Sequence, residues 1–473
     1  MSPSKNPNTL LTGKLVLPDG VRWGGLWLRD GKIAAVISAD AVDRLGTETG
    51  EAFEIIDHGQ SYLMPGLIEV HGNLGEPGLT HKEDYLTGTS AAVAGGVTTV
   101  LEQPNTSPPT TTVEALRLKE EQAEGRAYCD YAYLFGTTSD NQRELRKLSN
   151  TEVVGVQFWM ASQENTPTVV SDLGDLYASL QIVAEKGLVP LFHAEHQQLI
   201  NRLTADARAA KLHDDGPTYS ATRGPLAARM GAVEALVLAE ALGLPAYLCH
   251  LSTRGELDAV RQARARGVTV YAEAAGLHLL YTVDDYERFG AYLKVSPPVR
   301  DAEDREALWA AVLDGTISTL ASEHSPHTKE EKNVAMSKAA SGAPGIQENL
   351  PTLFTAFRQR YPDMPINKIV QTIAQLGSTN VAQIFGLADK GSLTPGKDAD
   401  IVVLDPDHPW VITDDALYTK CGWSLAVGET VLAKPMYTYL RGELVQHDGQ
   451  IIGKPKGRQV RRTAVATTIG VDV

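Results

Sequence analysis

The 473-residue sequence predicts an α/β fold, a (β/α)8 barrel carrying a small β-sandwich module built from both ends of the chain. Three observations predict it. The middle of the chain alternates strand, loop and helix. Both ends read as β alone. Side chains able to bind metal recur where the middle strands end. Alternating β and α units imply a parallel sheet, and this many of them suit a closed barrel. The length exceeds one ordinary domain but accommodates a barrel of about 250–400 residues plus a module.

Residues 8–64 hold short apolar runs, Leu15-Val16-Leu17, Ile33 to Ile37 and Phe53 to Ile56, separated by turns at Pro18-Asp19-Gly20, Asp30-Gly31-Lys32 and His58-Gly59-Gln60. The same texture returns late in the chain. Pro395-Gly396-Lys397-Asp398 leads into Ile401 to Leu404, followed by Thr430 to Ala433, Tyr437 to Leu440 and an Arg441-Gly442-Glu443 turn. Neither end could bury a core alone, so residues 1–64 and 386–453 are assigned to one module and 65–385 to the barrel. The remainder, 454–473, is polar and expected to be loosely held. Within the barrel, strands are expected at 96–101 after a helix at 83–94, at 153–159, at 188–193 after 174–186, at 246–250 after 225–242, at 269–273 after 255–266 and at 316–321 after 304–313.

Composition narrows the partners. The formal net charge of −15 disfavours a nucleic-acid groove, which needs a basic footprint, and suits a small-molecule substrate. No run of about 18 apolar residues exists, so no membrane span is expected. Cys129, Cys249 and Cys421 are far apart and form no paired motif, which speaks against a disulfide framework and for a reducing compartment. The opening residues lack the apolar stretch of a secretion signal, and a cytoplasmic location is expected.

Four expected strand ends finish in metal-capable residues: His71 after Gly66 to Val70, His193 after Val189 to Phe192, His250 after Tyr247 to Cys249, and Glu323 after Leu320 to Ser322. In a parallel barrel all strand C-termini open on one face, so these side chains converge. Imidazole nitrogens with a carboxylate make a good ligand set for zinc or a similar ion. One strand-end histidine is more often structural than a ligand. Four on separate units are hard to obtain by chance.

Longer stretches carry a resemblance. Pro65 to His71, Glu76-Pro77-Gly78, His81 to Asp84, Ala94 to Thr99, the Pro104-Asn105-Thr106 turn, His250 to Thr253, Ser296 to Arg300 and Glu323 to Thr328 resemble, in order, the motifs of dihydroorotases, allantoinases and hydantoinases of the amidohydrolase superfamily. The Gly391 to Asp400 stretch is similar to that family's return into its β module. The resemblance spans residues 10–450. It implies His71, His193, His250 and Glu323 as metal ligands, Glu323 also as the catalytic proton carrier, and Asn105, Gln157 and His327 as substrate contacts. It further implies a homo-oligomer, dimer or tetramer.

The departures fall on the chemistry. The family's first motif is His-X-His, but here Asn73 follows His71-Gly72 and offers only a neutral amide oxygen. The family's carboxylated bridging lysine is replaced by Gln157, in Gly155-Val156-Gln157-Phe158-Trp159. Two divalent ions about 4 Å apart need an anionic bridge, so the pair of sites is expected to reduce to one, holding one zinc or cobalt ion. Where dihydroorotases carry an arginine for the substrate carboxylate, this chain has Gly75. That disfavours dihydroorotate and favours a neutral amide, ureide, carbamate or thiocarbamate, as for superfamily members such as molinate hydrolase. Two other readings stay open: a non-catalytic homologue that lost its ligands, and a two-metal cyclic amidase of allantoinase type. His278, and the histidines at 58, 196, 213, 408 and 447, are read as structural or surface residues.

Overall fold

Eight parallel strands form the centre of the molecule: Leu67–Gly72, Val97–Glu102, Asp130–Gly136, Gly155–Trp159, Val189–His193, Ala246–Leu248, Val270–Ala275 and Thr319–Ala321. Each pairs with its neighbour in sequence order. The computed structural model describes residues 8–162 and 168–463. The ring closes between the eighth and first strands, where Gly72 bridges His324 and the Asn73 amide donates to the His324 carbonyl at 2.9 Å. The strands are apolar and buried on both faces, as they must be when helices cover the outside and side chains fill the inside. Helix starts are set locally. Asp84 and Thr253 each accept the amide of the third residue in and donate their own amide to that residue's side chain, satisfying amides that the helix leaves unpaired.

The ends of the chain meet in one eight-stranded, mostly antiparallel sheet. Thr9–Leu17, Gly20–Arg29, Lys32–Ser38 and Glu54–Pro65 come from the N-terminal side, and Ile401–Asp405, Lys434–Leu440, Glu443–His447 and Gln450–Ile451 from the C-terminal side. The larger core is shared between the halves: Leu11, Leu15, Leu26 and Leu63 pack with Ile401, Val403 and Tyr439. The seam with the barrel floor is ionic. Lys390 lies buried with its ammonium 2.6 Å from Asp130, 2.9 Å from Asp398 and 2.6 Å from Asp400, joining the third barrel strand to the module. The three carboxylates have the spacing of a cation site, and the lysine itself is the cation.

Two expectations are corrected by contacts between distant segments. Residues 454–463 are not loosely held: the Arg458 carbonyl accepts from the Tyr131 amide at 3.1 Å, the Val460 amide donates to the Tyr131 carbonyl at 2.7 Å, and Arg462 is buried. A polar segment can be fixed this way because its backbone supplies the bonds. Residues 464–473 lie outside the described part. His58 is not a surface residue either. It is buried beside Tyr437 and Tyr439, with the Tyr439 hydroxyl 3.2 Å from Nε2, and burial pushes its pKa down to about 4.

Candidate active site at the barrel mouth

Two buried carboxylates set the backbone of the site. Glu69, in the first strand, accepts the His71 amide at 2.9 Å and the Ser322 amide at 2.9 Å, tying the first strand to the eighth just before their functional residues. Glu273, in the seventh strand, accepts the His250 amide at 2.9 Å and the Tyr247 hydroxyl at 2.7 Å, bracing the end of the sixth. Both braced turns hold strained residues: His250 at φ 35° and Glu323 at φ 54°. Non-glycine residues there cost about 1–3 kcal/mol each and persist only where surrounding bonds impose them.

These turns bring the strand-end histidines together. His71, His193 and His250 are all buried, with the His250 ring centroid 5.1 Å from that of His71 and 4.9 Å from that of His193. His193 Nδ1 and His250 Nε2 face one another at 3.1 Å. The other ring nitrogen of His193, Nε2, lies 2.8 Å from the Glu195 carboxylate, which Arg223 grips through Nε and Nη2. Burial alone would raise the Glu195 pKa, but Arg223 and His193 outweigh it and hold the carboxyl far below the usual range. An ionised carboxylate only accepts, so His193 carries its proton on Nε2 and presents the Nδ1 lone pair to His250.

Glu323 sits at the same mouth with Oε2 buried and without a hydrogen-bond partner. Burial, with the carboxylates of Glu273, Glu69 and Glu195 around it, pushes its pKa well above the ordinary value. His278, read as structural, is held by a backbone carbonyl close to Glu323. Its Nε2 donates to the Pro297 carbonyl at 2.9 Å, which leaves the buried Nδ1 as an acceptor, 3.9 Å from Glu323 Oε2. Burial holds the His278 pKa down at about 4.

The expected substrate contacts fare differently. Asn105 lies half-buried in the turn after the second strand. Gln157 is fully buried, its amide oxygen 3.8 Å from the Cys249 thiol. His327 does not fit the role assigned to it, since both ring nitrogens have protein partners: Nδ1 is 3.1 Å from Lys82 and Nε2 is 3.0 Å from the Ser341 carbonyl. Gly75 is required by the backbone. Its φ is +71°, and a Cβ would lie 2.4 Å from the Glu83 carbonyl oxygen, so no arginine can stand there without moving the loop. Glu69, Glu195 and Glu273 were not singled out from the sequence. The available signal was an acidic residue inside or directly after an otherwise apolar strand.

Residues 62–452 match the amidohydrolase family. The chain belongs to that family. It is 31% identical over 457 residues to an allantoinase of Streptomyces avermitilis, covering 96% of this chain and 98% of the relative. An allantoinase of Escherichia coli is 32% identical over 443 residues, covering 92% and 93%. Among solved structures, the L-hydantoinase (dihydropyrimidinase) of Arthrobacter aurescens superposes with a TM-score of 0.88 at 30% identity, over 96% of this chain and all of that one. A D-hydantoinase superposes with a TM-score of 0.86 at 27% identity, over 97% and 100%. The family's barrel, hydrolytic chemistry and divalent metal therefore apply to this chain.

The donors gathered at this mouth fit a divalent metal ion. The 3.1 Å between His193 Nδ1 and His250 Nε2 is close to the ~3.3 Å separating two nitrogens on one tetrahedral zinc ion. His71 Nδ1 and Glu323 Oε2 are buried atoms without hydrogen-bond partners, His71 Nδ1 lying 3.5 Å from Glu273, and a cation between them would relieve the crowding of carboxylates that raises the Glu323 pKa. The second position lacks its anion. Gln157 is neutral, and Asn73 already donates its amide to the His324 carbonyl at 2.7 Å. His71, Cys249 and Glu273 also lie close enough together to hold an ion, with burial and Glu273 raising the Cys249 pKa far above the usual range.

Proposed function

We propose that this protein hydrolyses a C–N bond of a neutral cyclic amide or ureide, using a single zinc or cobalt ion held by His193 and His250 with His71 and Glu323 close by. The observation that carries the proposal is the facing pair of imidazole nitrogens, with Glu195 and Arg223 behind His193 fixing its protonation. When bound, such an ion polarises the scissile carbonyl and makes water nucleophilic at neutral pH. Ionised beside a bound cation, which offsets the surrounding carboxylates, Glu323 would take the proton of the attacking water at Oε2 and return it to the departing ring nitrogen. His278, held by the Pro297 carbonyl, offers an acceptor beside that carboxyl.

A small cavity of about 40 Å³ lies beside this region, with Ser322, the neighbour of Glu323, in its wall. Leu277, Leu280, Tyr281, Pro344 and Leu425 give it a mostly apolar lining. Glu348 in the same lining is pushed up to about 7 by burial. Gly75 excludes an arginine from the mouth, which favours a neutral substrate. The allantoinase and hydantoinase relatives make cyclic ureides and amides the first compounds to test.

The deciding experiment combines elemental analysis with hydrolysis assays on allantoin, hydantoins, dihydrouracil, a thiocarbamate and dihydroorotate. We expect one equivalent of metal, no dependence on bicarbonate, and turnover of a neutral cyclic compound without turnover of dihydroorotate. Two tightly held ions would overturn the single-ion reading. Fully metal-loaded protein that hydrolyses none of these would favour the non-catalytic homologue.

A further inference from the structure

The small cavity beside the Glu323 turn is walled by segments far apart in the chain, around residues 277, 322, 348 and 425. Its volume of about 40 Å³ is too small for a ring-shaped substrate and has room for about two or three water-sized particles. Glu348 is the one carboxyl in the wall, and no lysine, arginine or histidine lies there. The residue is 4% exposed, and its Oε1 has no hydrogen-bond partner. A carboxyl buried in this way needs a proton, a paired cation or a metal ion.

The protein itself supplies no such cation. His324 stands near Glu348, but its Nδ1 accepts the Gly345 amide at 3.2 Å and its Nε2 faces the Glu83 carboxylate at 3.4 Å. Tyr281 and Cys421, the other ionisable groups close by, are kept neutral because burial pushes both pKa values up. Neutral oxygens complete the wall. A Cβ on Gly276 would lie 2.2 Å from Asn349 Oδ1, so that amide oxygen stands over the Gly276 wall, and a Cβ on Gly345 would lie 3.4 Å from the Ser322 carbonyl oxygen. Thr352 Oγ1 donates to the Glu348 carbonyl at 2.6 Å, which leaves its lone pairs free to accept.

We propose that this cavity binds one small monovalent cation, potassium or sodium, on the Glu348 carboxylate. One negative charge among neutral oxygens matches a single positive charge, whereas divalent calcium sites gather several carboxylates, and no thiol or imidazole lines the cavity for a softer metal. The ion joins the segment after the seventh strand, the end of the eighth and the segment around residue 425, and so braces the Ser322–Glu323 turn from outside the barrel. The site is separate from the histidine cluster and does not depend on the proposed substrate.

The test uses the full chain with zinc present, at about pH 8, above the value of about 7 to which burial raises Glu348. Thermal denaturation is compared in potassium, sodium and tetramethylammonium chloride at equal ionic strength, the last ion being too bulky for the cavity. Equilibrium dialysis with radioactive rubidium, a stand-in for potassium, counts the bound ion. Potassium or sodium should raise the melting temperature over tetramethylammonium by about 1–2 °C or more, saturably, with one rubidium ion bound per chain. Glu348→Gln, shown to be folded by circular dichroism, should lose both effects and melt in tetramethylammonium no lower than the wild type, since an amide needs no cation. The wild type gives a check without substitution: at about pH 5.5 a proton takes the place of the cation and the response should vanish. No cation-specific shift and no bound rubidium at about pH 8 would overturn the proposal, leaving a protonated Glu348 with water. An equal response in Glu348→Gln, or one that persists at about pH 5.5, would also overturn it, because the ion would then bind elsewhere.

Discussion

Replacing Glu195 by Gln tests whether this carboxylate positions His193. The substitution keeps the side-chain shape and removes one charge. In the native arrangement Glu195 accepts from His193 Nε2 at 2.8 Å and from Arg223 through Nε at 3.2 Å. Losing the charge-assisted bond to the imidazole frees His193 to adopt the other tautomer, with its proton on Nδ1. Such partners of metal-binding histidines typically contribute 10- to 100-fold in metal affinity, or about 1.4–2.7 kcal/mol. A second cost falls on the fold. Arg223 keeps the Ser162 carbonyl at 2.9 Å but is left as a buried cation without its carboxylate, which costs about 3 kcal/mol. The two effects are separable by adding Arg223→Met, because removing both members of a buried pair is far less harmful than removing one. Zinc affinity would be measured on metal-free protein by competition with a chromophoric chelator, and stability by thermal denaturation. The single variant should lose both affinity and stability; the double variant should recover stability alone. Wild-type affinity in Glu195→Gln would refute the positioning role. So would recovery of affinity together with stability in the double variant, which would mean that Glu195 acts only through the fold.

Other perturbations probe the remaining parts. His193→Ala and His250→Ala should each abolish metal binding, whereas Asn73→Ala should reduce it far less, as read by elemental analysis; equal losses would make Asn73 a ligand. Glu323→Gln should lower kcat by roughly 10²-fold or more with an unchanged thermal transition, since the amide cannot carry the proton. For His58, the folded pKa of about 4 lies below the unfolded 6.5, so the unfolded chain takes up the proton first. Its contribution is complete above about pH 6.5 and falls away as pH drops toward 4, by about 1–2 kcal/mol at pH 5. Melting temperatures of His58→Phe should accordingly fall less between pH 7 and 5 than those of the wild type. Lys390→Met removes the cation shared by Asp130, Asp398 and Asp400 and should cost about 3–5 kcal/mol in denaturant unfolding, without altering metal affinity.

What the sequence determined by itself follows from periodicity and from barrel geometry. Alternating strand and helix signals imply a parallel barrel, and a parallel barrel sends every strand end to one face. His71, His193, His250 and Glu323 could therefore be placed at a common mouth from their positions in the chain. The losses at Asn73, Gly75 and Gln157 are equally legible, because they are changes of residue type at recognisable positions. Only the tertiary structure decided how those groups are held. Glu69 braces Ser322 across 253 residues, Glu273 reaches back to the His250 amide, and Arg223 closes on Glu195 from the turn between two later helices. His58 is buried by tyrosines 379 and 381 residues away in the chain, and His327 is consumed by Lys82 and Ser341. The identity of a side chain is local, but its hydrogen-bond partner and its burial are set by segments that meet only once the barrel has closed and both ends of the chain have packed onto it.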